Sequence, residues 1–148
     1  MKKTIYFFYK DVKPNFRERT KVKRFLANIF SKEKMQLETL NYIFCSDQEL
    51  LSINQQFLMH DFYTDIISFD LSVDSKGVSG EIYISIDRVK DNAKENGVSF
   101  KNELLRVIFH GALHLCGFKD KKKSEKEQMT IKEDYYLNKF QKFVPRET

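Results

Sequence analysis

The chain has 148 residues, near the usual size of one domain, and a chain of that length buries roughly two thirds of its unfolded surface without a disulfide staple. Hydrophobic residues make up 41%, with 14 Phe and 7 Tyr spread along the sequence, which excludes global disorder. A formal net charge of +5 and a pI near 9.1 favour polyanionic partners such as nucleic acid, through phosphate neutralisation and counterion release.

The start, Met1-Lys2-Lys3, resembles the basic head of a signal peptide, but the apolar run behind it is only Ile5 to Tyr9 and no small-residue cleavage site follows. No segment approaches the ~20 apolar residues that cross a bilayer. A cytoplasmic location without membrane attachment is therefore expected. Cys45 and Cys116 both stand in apolar surroundings, where a thiol acts as a small hydrophobe, so both are expected to be reduced.

In chain order, the β-branched and aromatic run Ile5 to Tyr9 predicts a first strand. Pro14 separates it from a helix over about Arg17 to Ser31, whose Val22, Phe25, Leu26, Ile29 and Phe30 recur at amphipathic spacing. Leu40 to Cys45 predicts a second strand. Ser46 to Glu49 reads as a capping box for a helix to about Phe57. Ile66 to Leu71 and Glu81 to Ile86 read as neighbouring strands joined by a polar loop with Gly77 and Gly80. A helix from about Asp87 stops at Gly97.

Ser99 then caps a helix to about Cys116, ended by Gly117; its apolar residues cover nearly every face, which marks it as buried in the middle of the domain. Ser124 to Glu127 reads as a second capping box, opening a last helix to about Phe143 that Pro145 closes. The expected fold is α+β, a small mixed sheet of about four strands covered by helices. Residues 1–148 read as a single domain, without repeat, linker or low-complexity segment.

Two of the three histidines, His110 and His114, stand four apart on that buried helix, which brings both imidazoles to one face. Such a pair is either a chelate or two hydrogen-bonded core histidines. Gly117 lets the chain reverse and return Asp120 as a third ligand, and catalytic zinc sites take three ligands of the His, Asp and Glu type. Asp120 otherwise reads as an exposed acid in the charged run Lys119 to Lys123. Cys116, two residues past His114, points to the other side of the helix and is rejected as a ligand. Zincin proteases place Glu directly after the first His as general base, and here that position is Gly111.

The run from His110 to Asp120, His-Gly-Ala-Leu-His-Leu-Cys-Gly-Phe-Lys-Asp, resembles the metal signature of the YbeY family, bacterial endoribonucleases of rRNA maturation. Leu51 to Phe57, Thr64 to Phe69 and Gly80 to Ser85 resemble three further motifs of that family, in the family's order. The resemblance implies an α+β fold whose zincin-like helix carries the metal histidines. It also implies one Zn2+ per chain, or another divalent transition metal, held by His110, His114 and Asp120, through which those residues act in catalysis. The implied activity is single-strand-directed cleavage of RNA in 16S rRNA 3′-end maturation and ribosome quality control, with rRNA in ribosomal particles as partner.

Two departures stand out. Asp120 replaces the usual third His, and Leu58 replaces the functional Arg that follows the Leu-Asn-x-x-(Tyr/Phe) helix. His60 or a lysine among Lys119 to Lys123 is the candidate replacement for that cation. Thr64 and Ser68, on a strand bordering the cleft, are further catalytic candidates, and each also reads as a strand-capping or cross-strand hydrogen-bond partner. Glu81 reads either as an acceptor for a ligand imidazole or as an edge-strand carboxylate in water. Two other functions stay open: a non-catalytic, metal-stabilised ribosome-assembly or RNA-binding factor, and a metalloprotease, which Gly111 disfavours.

Overall fold

A computed structural model describes residues 4–59, 64–73 and 76–145. Alternation of side chains builds its sheet. On β2 (Leu37–Cys45), Leu40, Tyr42 and Phe44 are fully buried on one face, and on β4 (Val78–Ser85), Ile82 and Ile84 do the same. β1 (Ile5–Tyr9) pairs parallel with β2, β2 pairs parallel with β4, and β3 (Ile66–Asp70) runs antiparallel to β4, giving the order β1-β2-β4-β3. The sheet is the small mixed one expected of an α+β fold.

Five helices cover it among the described residues: α1 (Arg19–Lys32), α2 (Asp47–Leu58), α3 (Ile86–Asn96), α4 (Phe100–Leu115) and α5 (Lys123–Lys142). The apolar stripe of α1 read from the sequence is the buried one. It joins Leu104, Ile108, Phe109 and Leu113 of α4 and Met129, Tyr136, Leu137 and Phe140 of α5 in the main core on one face of the sheet. The Tyr42 hydroxyl crosses that core to donate to the Ile108 carbonyl at 2.7 Å, so β2 holds the middle of α4 in register. On the other face α2 covers a smaller cluster of Cys45, Leu50, Ile53 and Ile67.

Several boundaries differ from the sequence reading. β2 begins at Leu37 rather than Leu40 and β4 at Val78 rather than Glu81, because these segments pair with each other, Leu37 opposite Val78 and Leu40 opposite Gly80. That pairing is non-local and overrides the polar, glycine-containing composition of the β4 start. α1 begins at Arg19. α5 begins at Lys123, and the Lys122 backbone N–H donates to the Glu125 carboxylate at 2.9 Å, so Ser124 lies inside the first turn and is not its cap.

Ser46 does cap α2, accepting from the Glu49 N–H at 3.2 Å, but the Glu49 carboxylate turns to Lys10 at 2.5 Å instead of completing the box. Ser99 caps α4 as expected. Cys45 and Cys116 are free thiols, both pushed up to about 12 chiefly by burial. No helix of the described residues is long and apolar enough to cross a membrane.

Candidate metal centre

α4 is wedged against the sheet at Gly111. A Cβ there would lie 2.9 Å from Ile82 Cδ1 and 3.0 Å from both Ile66 Cδ1 and Ile82 Cγ2, so a larger residue would press the helix off the sheet. The adjoining face of α4 carries His110 and His114 into a cleft of about 760 Å³ bordered by β3 and α5. The helix ends at Gly117, which takes φ +102°, a conformation L side chains rarely adopt. The Phe118 N–H closes the turn on the Leu113 carbonyl at 3.0 Å, and the chain returns Asp120 to the histidines.

The two Nε2 atoms are 3.0 Å apart, and each lies 3.2 Å from Asp120 Oδ2. Among the described residues these three side chains form a group whose donor atoms all lie within 4.8 Å of one another. Donors bound tetrahedrally to zinc at about 2.0–2.2 Å sit roughly 3.3–3.6 Å apart, so the triangle is close to metal-binding size.

The far sides of the rings decide what the triangle demands. His114 Nδ1 lies 2.9 Å from the Phe118 carbonyl oxygen, which only accepts, so the proton of the neutral ring sits on Nδ1 and Nε2 presents a lone pair. His110 Nδ1 lies 2.6 Å from Glu133 Oε2 on α5 and donates to that carboxylate in the same way. Two imidazole lone pairs and a carboxylate oxygen then converge with nothing positive between them. Burial opposes a charged His110 ring, yet the hydrogen bond and charge of Glu133, with Asp120 and Asp65 beyond it, raise its pKa. The triangle therefore calls for a proton or a metal cation, and the two compete for it. The donor set fits a divalent transition metal.

Around the triangle, Thr64 and Ser68 both line the cleft, and the Thr64 hydroxyl donates to the Ile66 carbonyl at 3.4 Å, a strand-end bond of the kind the sequence allowed. Leu58 lines the cleft at the position where the resemblance implies an arginine. Lys121 lines it too, and Lys119, Lys122 and Lys123 are exposed on the same loop and helix start. His60 lies outside the described residues. Behind His110, burial raises the pKa of Asp65 and of Glu103.

Glu81 is a correction. It sits on the interior strand β4, opposite Phe69 on the sheet face turned away from α4, and accepts from the Tyr83 hydroxyl at 3.2 Å. The carboxylate that reaches the His110 imidazole is Glu133, which the sequence reading missed. A signal existed: Met129, Glu133, Tyr136, Leu137 and Phe140 are all buried at helical spacing, so a charged residue stands in the apolar stripe of α5. Arg106, one turn before His110 on α4, was also missed; its Nη1 donates to Glu133 Oε1 at 2.8 Å and its Nη2 to Asp134 at 2.6 Å.

A family model described as Endoribonuclease YbeY matches residues 7–141. The chain is 51% identical over 135 residues to a protein named Endoribonuclease YbeY from Cytophaga hutchinsonii, covering 91% of this chain and 94% of that one. A protein of the same name from Amoebophilus asiaticus is 41% identical over 136 residues, 92% of each chain. Among solved structures, the solution structure of TM1509 from Thermotoga maritima superposes with a TM-score of 0.65 at 30% identity, over 92% of this chain and 88% of that one.

Proposed function

The chain belongs to the endoribonuclease YbeY family and is an RNA-cleaving hydrolase, and from that premise we propose that His110, His114 and Asp120 bind one Zn2+, or another divalent transition metal, at which RNA is cut. The observation that carries this is the convergence of two Nε2 lone pairs and Asp120 Oδ2 within 3.0–3.2 Å, each ring held by an acceptor on its other nitrogen. When bound, such a metal supplies Lewis acidity toward a phosphoryl oxygen and makes a water acidic enough to act near neutral pH.

The chain's own residues do the rest. Lys121 in the cleft and the exposed Lys119, Lys122 and Lys123 neutralise the phosphates on either side of the scissile bond. Phe57, 66% exposed one residue before Leu58, offers a ring on which an unpaired base stacks, which favours single strands. Thr64 and Ser68 present hydroxyls to the ribose and phosphate. His60, outside the described residues, is retained as a candidate cation. The proposed setting is the cytoplasm, within one domain spanning the chain, with 16S rRNA 3′-end maturation and ribosome quality control as the tasks and rRNA in ribosomal particles as the partner.

The metalloprotease alternative lacks its general base: Gly111 stands where zincin proteases place Glu, and it offers no carboxylate. Leu58 puts an apolar side chain in the cleft where the resemblance places a cation, so the apolar residue bears on the rate of cleavage. Metal-loaded protein incubated with single-stranded RNA, duplex RNA and casein separates these readings: cleavage of the single strand alone is expected. Elemental analysis should find about one metal per chain, lost in His110→Ala and His114→Ala; unchanged metal in both would overturn the ligand assignment.

A further inference from the structure

We propose that Glu133, clamped by Arg106, is the positioning residue of the metal centre, so that docking of α5 and metal affinity form one linked equilibrium. The proposal rests on the reading that His110, His114 and Asp120 hold a divalent metal.

The two ligand rings are oriented by different kinds of partner. His114 is held by the Phe118 carbonyl, a backbone group fixed by the turn at Gly117. His110 is held by a side chain that comes from another helix, 23 residues further along the chain. Glu133 itself has little freedom. Its side chain is 9% exposed, one oxygen meets His110 Nδ1 at 2.6 Å, and the other accepts from Arg106 Nη1 at 2.8 Å. A carboxylate so buried is tolerated only when paired, and Arg106 supplies the pair.

Arg106 stands on α4, four residues before His110, so one helix carries both the ligand and the cation that aims the ligand's partner. The carboxylate is delivered by α5, which is seated by Met129, Tyr136, Leu137 and Phe140 in the main core.

From this geometry, Glu133 fixes the tautomer that leaves His110 Nε2 free for metal, fixes the ring plane, and raises the basicity of the nitrogen that binds. A bound metal in turn strengthens the His110 to Glu133 contact and so holds α5 in place. Linkage requires both effects together.

Co2+ is the probe, because its visible ligand-field spectrum reports the geometry of the site. Affinity is measured by competition with a chelator on the full-length chain, for the parent, Glu133→Gln, Glu133→Ala, Arg106→Met and Asp134→Asn. Glu133→Ala should bind Co2+ roughly 10–100-fold more weakly with a changed spectrum, the scale seen when such a partner is lost. Glu133→Gln, which keeps an acceptor without the charge, should fall between. Arg106→Met should weaken binding although it touches no ligand. Asp134→Asn, at the exposed end of the network, should change affinity by less than about fivefold.

Hydrogen exchange of α5 amides in the parent should slow when Co2+ is added, a readout independent of any variant's folding. Unaltered Co2+ affinity and spectrum in folded Glu133→Gln and Glu133→Ala, or α5 exchange indifferent to Co2+, would overturn the proposal while leaving the metal reading intact. A parent that binds no Co2+ would instead overturn the metal reading, and the proposal with it.

Discussion

Gly111→Ala puts one methyl group at the contact that seats the metal helix, and two opposing effects set its consequence. Alanine in a helix interior is favoured over glycine by about 1 kcal/mol. Against this, the new Cβ meets Ile82 Cδ1 at 2.9 Å and Ile66 Cδ1 and Ile82 Cγ2 at 3.0 Å. The Cδ1 atoms can swing away. The Cγ2 of Ile82 branches directly from Cβ on a fully buried residue of an interior strand, so α4 itself must retreat. Overpacking of this kind costs about 1–3 kcal/mol, so the net is a loss of up to about 2 kcal/mol. For a chain of this size that lowers Tm by up to roughly 6 °C. The assay is thermal unfolding followed by circular dichroism on protein stripped of metal with a chelator. Because α4 also carries both histidines, its retreat should weaken metal binding by the chelator competition. A Tm raised by a degree or more, with metal affinity unchanged, would refute the argument, since it would mean that helix propensity wins and α4 is not tightly seated.

Replacing Lys121, Lys122 and Lys123 together by Ala should flatten the salt dependence of single-stranded RNA binding by up to about two units of log–log slope, at roughly 0.7 per phosphate contact; an unmoved slope would make the cluster a solvated surface. Asp65 has its folded pKa raised, mainly by burial, above the ordinary carboxylate value, so the stability it contributes is present in full below that ordinary value and is lost as pH rises through the raised one. In metal-free protein, Asp65→Asn should therefore be more stable than the parent at neutral pH, and urea unfolding should show the difference shrinking toward about pH 4; a gap that grows on acidification would contradict the burial argument. Leu58→Arg should raise cleavage of single-stranded RNA by roughly 10–100-fold, the worth of one charge-assisted hydrogen bond to a phosphate, without changing metal content; no gain would mean that the cation is already supplied elsewhere.

What could be read along the chain follows the range of the interactions concerned. The α1 stripe, the Ser46 and Ser99 caps and the stop at Gly117 all depend on residues within a few positions of one another, and the structure has them where expected. His110, His114 and Asp120 share that property, since one helical turn and one reversal suffice to bring them together. The misplaced starts of β2 and β4 depend on a strand pairing across some forty residues, which local composition does not report. The Ser124 box failed by local competition, because the Glu125 carboxylate reaches the Lys122 N–H and starts the helix earlier.

By itself, then, the sequence determined the composition of the core, the helical register of the histidine pair and the family to which the chain belongs, because these are properties of local spacing and of matching motifs. Only the tertiary structure decided the strand order that places β4 between β2 and β3, the burial of Gly111 against Ile82, and the choice of Glu133 over Glu81 as the partner of His110. The physical reason is the same in each case. The pleat of β4 turns Glu81 to the far face of the sheet, whereas the packing of α5 on α4 buries Glu133 at 2.6 Å from the imidazole, paired with an arginine that makes its burial tolerable.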